Sequence, residues 1–252
     1  MILESFSSLH KKNISIACHD AGSTNIIIGW LKKSPELSVR AHVGGPAVEI
    51  WNQAFPNAVN YALNEAIEGS DQLISGTGWA SDLEYQARKI SLKKGIPTIA
   101  VIDNWVNYEA RFTRKGIKIY PNEIWVVDRF AFSLATEGFP SIPIRLLPND
   151  YLDAKVDAVN SIQRANVDPK VVNILYVLEP IRQVWNKGEI LSGEFQALDY
   201  FIKNSYKISN LDLNIILRPH PSDPADKYLN WISSQDINIQ ISISCSLEQD
   251  IG

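Results

Sequence analysis

The stretch Ile215-Ile216-Leu217-Arg218-Pro219-His220-Pro221-Ser222-Asp223-Pro224 decides how this chain is read. Its apolar start reads as a strand buried on both faces, the kind that fills parallel sheets. It runs into a cation, an imidazole and a hydroxyl on a proline-stiffened loop, with a helix expected after it. Ligands of open α/β sheets bind outside the carboxyl ends of the strands. Arg218, His220 and Ser222 in that position suit an anion such as a nucleotide phosphate, because a guanidinium offers phosphate oxygens charge-assisted hydrogen bonds. The same loop also reads as a structural turn whose histidine satisfies backbone carbonyls.

Around this stretch the sequence forms a βα series. Strands are expected at 171–178, 213–217 and 237–244, and helices at 189–207 and 226–233. Ser246-Leu247-Glu248-Gln249 has the form of a capping box opening one more helix. The series stops at Gly252, so the second domain is expected to be incomplete, with sheet edges that favour self-association.

A first series precedes it, with strands at 13–18, 38–43, 72–75, 98–102 and 123–127. Helices are expected after His19-Asp20-Ala21-Gly22-Ser23-Thr24, over 48–55, and after Ser81-Asp82-Leu83-Glu84. That last tetrapeptide is again a capping box, in which Ser and Glu satisfy free backbone N–H groups. Strands separated by helices of this length imply parallel sheets. The fold class is therefore α/β, with two Rossmann-like domains. Residues 1–150 form the first domain, 151–170 a linker, and 171–252 a partial second domain.

Composition narrows the function. The 252 residues are 45% hydrophobic, ample for a core, and the net charge of -4 lacks the basic footprint of a nucleic-acid binder. Cys18 and Cys245 lie far apart and in no CxxC motif, so a reducing cytoplasm is the simplest compartment. Residues 1–12 lack the apolar core of a signal peptide, and no run approaches a membrane span. Peripheral association at an inner membrane through partners stays open. His10, His19, His42 and His220 show no metal-binding spacing, so no metal is expected.

Three further turns carry candidate chemistry. Asp20 follows the first strand against a helix N-terminus, where a carboxylate could act as general base and Gly22 and Ser23 could hold an anionic donor. The plainer reading is a strand-to-helix turn capped by Ser23 or Thr24. Ser75-Gly76-Thr77-Gly78-Trp79 closes another strand, with Gly76 and Thr77 as sugar-binding candidates. It is short of a full dinucleotide fingerprint, and a bare turn reads equally well. Asp103-Asn104-Trp105-Val106-Asn107-Tyr108-Glu109-Ala110-Arg111-Phe112 is dense in aromatic and polar groups. Asp103, Asn104 and Trp105 suit an acceptor sugar, although the segment could equally pack between domains. Glu179 ends the first strand of the second series and could bind a sugar or ribose hydroxyl.

With His220-Pro221, the preceding Arg218 and Asp20-Ala21-Gly22 in hand, the chain resembles the GT-B glycosyltransferases, which have two facing Rossmann-like domains with a substrate cleft between them. It looks most like bacterial surface-polysaccharide enzymes, including sialyltransferases and Kdo transferases that carry a His-Pro motif. The resemblance implies metal-independent transfer of a sugar from a CMP- or UDP-linked donor to a glycan acceptor in polysaccharide or lipopolysaccharide biosynthesis. It makes His220 the ligand of the donor phosphate and Asp20 the catalytic base. The chain departs from the pattern in having His19 where a second acidic residue is often seen. The Ser- or Thr-rich motif expected further along would fall beyond Gly252. Two alternatives stand beside this reading: a sugar-nucleotide epimerase or hydrolase of the same fold, and a non-catalytic nucleotide- or glycan-binding protein.

Overall fold

The computed structural model describes residues 13–163, 168–181, 192–220, 223–224, 226–234, 240–244 and 246–251. The chain forms two compact units, Met1–Ala154 and Lys155–Gly252.

Six parallel strands make the sheet of the first unit: β1 (Asn13–Cys18), β2 (Ser38–Val43), β3 (Gln72–Ser75), β4 (Thr98–Val101), β7 (Glu123–Val126) and β8 (Ile144–Leu146). Their order is β2-β1-β3-β4-β7-β8. The central strands β3 and β4 are buried at every position. That burial explains the apolar and small residues that fill them apart from Gln72, since water reaches neither face. β2 lies on one side of β1 and all later strands lie on the other. The order therefore reverses between β1 and β3, the topological switch point at which such sheets bind ligands.

Helix α1 (Ala21–Lys32) covers the sheet with Ile26, Ile27, Ile28, Trp30 and Leu31. Trp30 is fully buried, meets Trp125 edge to face at 5.7 Å, and donates its indole N–H to the Pro148 carbonyl at 2.8 Å. A Cβ at Gly29 would come within 2.6 Å of the Tyr151 backbone nitrogen, so the bare glycine lets α1 pack against the start of α6 (Asp150–Ser161). A second cluster, with Ile102, Phe112, Ile124, Ala131 and Phe139, completes the core toward β7 and β8. Helices α2 (Ala47–Ala54), α3 (Leu63–Ile67), α4 (Leu83–Lys93) and α5 (Arg129–Gly138) connect the strands.

The second unit has a three-stranded parallel sheet in the order β11-β10-β9, from β9 (Val171–Val177), β10 (Asp212–Arg218) and β11 (Gln240–Ile243). Helices α7 (Gly193–Asn204) and α8 (Lys227–Ser233) pack on it through Leu198, Ile202, Tyr228 and Trp231, and α9 (Leu247–Ile251) follows β11. No helix among the described residues is long and apolar enough to cross a membrane.

The stretch expected at 151–170 as a connection with some helix holds α6, and the boundary between the units falls inside that helix. Other elements depart from expectation. The sequence reading places nothing between Val127 and Pro148, yet α5 and β8 lie there. The three residues of β8 are too few for a periodic signal, and Phe130 and Leu134 of α5 face solvent. Asp128 is its N-cap and accepts the Ala131 N–H at 2.8 Å. The expected helix over 189–207 is observed over Gly193–Asn204, followed by a single 3-10 turn at Ser205–Lys207; residues 189–191 lie outside the described residues. A small hairpin pairs β5 (Thr113–Arg114) with β6 (Ile117–Lys118), its turn at Lys115 and Gly116 having φ of 48° and 75°. Positive φ at both central residues matches the sheet twist of a two-residue hairpin.

Shortening Trp30 to phenylalanine strands the Pro148 carbonyl and opens a gap beside Trp125. Trp30→Phe is expected to destabilise the first unit by about 2–4 kcal/mol. Urea denaturation should show a lower midpoint, and an unchanged midpoint would refute this account of the core.

Candidate functional site

The carboxyl ends of β1, β3 and β4 meet at the switch point, and each runs into a polar turn. Asp20 follows β1 and is the N-cap of α1. Its Oδ1 accepts from the Ser23 backbone N–H at 3.1 Å and from the Ser23 hydroxyl at 2.8 Å. The cap is thus Asp20 itself, in place of the expected Ser23 or Thr24; the Thr24 hydroxyl turns back to the Asp20 carbonyl. Asp20 Oδ2 is buried without a hydrogen-bond partner and lies beside Gly78.

Glycines make this convergence possible. A Cβ at Gly22 would collide with the Asp103 carboxylate, which packs on the first turn of α1. A Cβ at Gly76 would collide with the Ser23 hydroxyl and lie 2.8 Å from Glu84 Oε1. A Cβ at Gly78 would lie 2.7 Å from Asp20 Oδ2. At the end of β2, Gly45 has a φ of +53° and accommodates the His19 imidazole where a side chain would clash.

Glu84 is the residue that sequence reasoning misplaced. The expected capping box does not form: Asp82 is the N-cap of α4 and makes no side-chain cap bond, although the Ser81 hydroxyl accepts the Leu83 N–H at 3.1 Å. Glu84 instead turns inward, fully buried, and Oε1 accepts the His19 N–H at 2.8 Å. Once β1 and α4 are packed, that N–H is a tertiary partner in place of the helix's own backbone. Its Oε2 has no hydrogen-bond partner.

Burial, then the Asp20 charge, raises the Glu84 carboxyl to about 7. The same two causes raise Asp103, opposed by the Arg111 guanidinium 2.9 Å away. The Cys18 thiol is pushed well up by burial, Glu84 and Asp20. Two buried arginines brace the site. Arg88 donates to Ser75 Oγ, the Gly76 carbonyl and the Arg111 carbonyl, and burial lowers it to about 10. Arg111 donates to Asp103, to Thr77 Oγ1 and to the Val106 carbonyl, and lies 4.9 Å from the Trp79 ring.

The structure therefore brings Asp20, Gly22, Ser23, Gly76, Thr77 and Asp103 together, and adds Glu84, Arg88 and Arg111. Thr77 is fully buried, with its hydroxyl spent on the Val101 carbonyl and on Arg111, which makes it a brace. Asn104 accepts the Trp105 backbone N–H, and the exposed Trp105 ring donates to Asp128 Oδ2 at 3.0 Å beside Phe130. Arg111 stood within the quoted aromatic stretch, but nothing in sequence distinguishes a buried arginine from a solvated one.

In the second unit, Leu178 N–H bonds to the Arg218 carbonyl, so Glu179 and Arg218 share one rim of the sheet. Arg218 donates to Ser244 Oγ at 2.7 Å and lies 3.7 Å from Asp250, leaving part of its five-donor fork for another acceptor. The His220 carbonyl accepts the Asp223 N–H, and Asp223 in turn bonds Lys227 and Tyr228. Lys227 also pairs with the buried Glu194 at 2.7 Å, and this network anchors the loop to α8. Ser222 lies outside the described residues. No group of three or more His, Cys, Asp or Glu among the described residues is placed to hold a metal ion.

No protein-family model matches the sequence, and no curated protein matches it. Among solved structures, the UDP-GlcNAc 2-epimerase of Neisseria meningitidis, crystallised with UDP-GlcNAc, superposes with a TM-score of 0.59 at 10% identity. The match covers 94% of this chain and 74% of the epimerase. The fold is of the GT-B type. The carboxyl cluster lies at the switch point of the first parallel sheet.

The folded Glu84 carboxyl keeps its proton to about pH 7, whereas the unfolded one loses it near 4.5. Folding therefore binds a proton in that window, and the first unit loses stability as pH rises through it. Glu84→Gln should remove up to roughly 3 kcal/mol of the difference between pH 5 and pH 8. Urea unfolding at the two pH values measures it, and an equal difference in both proteins would refute the assignment.

Proposed function

We propose that this protein acts on nucleotide sugars as a glycosyltransferase, with Asp20 as the base that takes the acceptor's proton. The observation that carries the reading is the buried, unpartnered Asp20 Oδ2 at the switch point, next to backbone that has no side chains. Oδ1 is held by Ser23, so the carboxylate is fixed in orientation with one oxygen uncommitted. The hydroxyl proton passes to Asp20 as the acceptor oxygen bonds the anomeric carbon. The bond from that carbon to the donor phosphate breaks, and its electron pair leaves on the nucleotide. Arg218 and His220 are assigned to the phosphate, where fixed donors favour the developing charge. Glu179 is assigned to a sugar or ribose hydroxyl, and the exposed Trp105 to the acceptor. Nothing in this scheme calls on a metal ion. The acceptor is a glycan, as expected for surface-polysaccharide assembly.

A second reading, an epimerase or hydrolase, is favoured by one specific observation. Several carboxyl groups, Asp20, Glu84 and Asp103, converge on the site, an arrangement suited to removing and returning protons on a single sugar. The epimerase that shares the fold was crystallised with UDP-GlcNAc.

Incubating the chain with a panel of CMP- and UDP-sugars, with and without oligosaccharide acceptors, separates the readings. Acceptor-dependent nucleotide release is expected, and Asp20→Asn should lower it about 10²–10⁴-fold. Consumption without acceptor would establish the second reading. Calorimetric binding of nucleotide without turnover would leave a binding protein.

A further inference from the structure

We propose that Glu84 is the positioning residue for Asp20, and that its buried carboxyl carries a proton in that role. The catalytic consequence rests on the reading of Asp20 as base; the proton on Glu84 does not.

The geometry leads there by counting donors. Asp20 has both Oδ1 contacts filled by Ser23 and nothing on Oδ2. Glu84 has the His19 N–H on Oε1 and nothing on Oε2. Two ionised carboxylates here would leave two buried oxygens unsatisfied and two like charges in one apolar setting, which is costly. A proton on Glu84 neutralises one group and turns its acceptor-only oxygen into a donor.

The link between the two is physical. The Ser23 hydroxyl donates to Asp20 Oδ1, and Ser23 Oγ and Glu84 Oε1 both crowd the bare α-carbon of Gly76. Glu84 also grips the peptide N–H of His19, the residue directly before Asp20. It therefore fixes the end of β1 as well as the local charge.

Among the described residues, the other ionisable groups facing the pair do not supply a counter-charge through hydrogen bonds. Arg88, one turn along α4, attracts the Glu84 charge, but its hydrogen bonds go to Ser75, Gly76 and Arg111. Asp103, at the end of β4, raises the negative charge near Asp20 and is matched by Arg111. Cys18 on β1 is held neutral first of all by its burial. The raised proton affinity of Glu84 agrees with this count.

The test is a carboxyl ¹³C NMR titration of the full chain from pH 4 to 9, with the Glu84 signal assigned by its loss in Glu84→Gln. Glu84 should titrate near neutrality, and Asp20→Asn should lower its midpoint by a pH unit or more. Titration alongside the exposed Glu36, or a midpoint unmoved by Asp20→Asn, overturns the proposal. If Glu84→Gln fails to fold, difference spectra of the native chain and Asp20→Asn still decide. Where nucleotide-sugar turnover is found, its KM should rise above pH 7 in the native protein and stay flat in Glu84→Gln. A matching rise in the variant overturns the positioning role. Absence of turnover in every protein would instead refute the enzymatic reading and leave the titration to judge the proton on Glu84.

Discussion

Carboxyl groups forced together out of water are the constraint on which the first unit depends. Asp20, Glu84 and Asp103 come from three different loops or helix starts, and each is drawn in by a specific tether. Ser23 holds Asp20, the His19 N–H holds Glu84, and Arg111 holds Asp103. None of these acids is neutralised by simple pairing with a free surface cation. The cluster exists because backbone donors, a serine hydroxyl and two buried arginines divide the work. Burying several acids in one place costs stability, and such costs concentrate where chemistry is done.

Glycine is the second half of that constraint. Gly22, Gly76 and Gly78 stand where a single methyl group would strike an acidic oxygen or its serine partner. The turns after β1 and β3 thus bring backbone to within contact distance of side chains from neighbouring loops. A Rossmann-like sheet usually places glycine at such turns so that backbone can approach a ligand. Here the bare positions first admit the protein's own carboxyls. The second unit uses another device: its His220 loop is anchored from outside by Asp223, Lys227, Tyr228 and Glu194.

Much of the scaffold was legible in the chain. Gln72-Leu73-Ile74-Ser75 is a strand of the expected length because it is buried throughout and bounded by polar and glycine residues. The turn residues Asp20, Gly76 and Asp103 were visible because each lies within two residues of the end of a strand. Glu84 was not, because Ser81-x-x-Glu84 carries the local signature of a capping box and only tertiary packing offers the competing His19 N–H. Helix α5 and strand β8 escaped because one exposes large apolar side chains and the other is three residues long.

The sequence by itself determined the alternation of strand and helix, the parallel sheets that follow from it, and the polar residues that end each strand. Those features are local: they depend on burial period, turn chemistry and caps within a few residues. Only the tertiary structure decided the strand order, and hence that the turns after β1 and β3 adjoin at the point of reversal. It also decided which acids lose water. Proton affinity depends on the charges and donors within a few ångströms in space, and residues 20, 84 and 103 become neighbours only when the sheet is assembled.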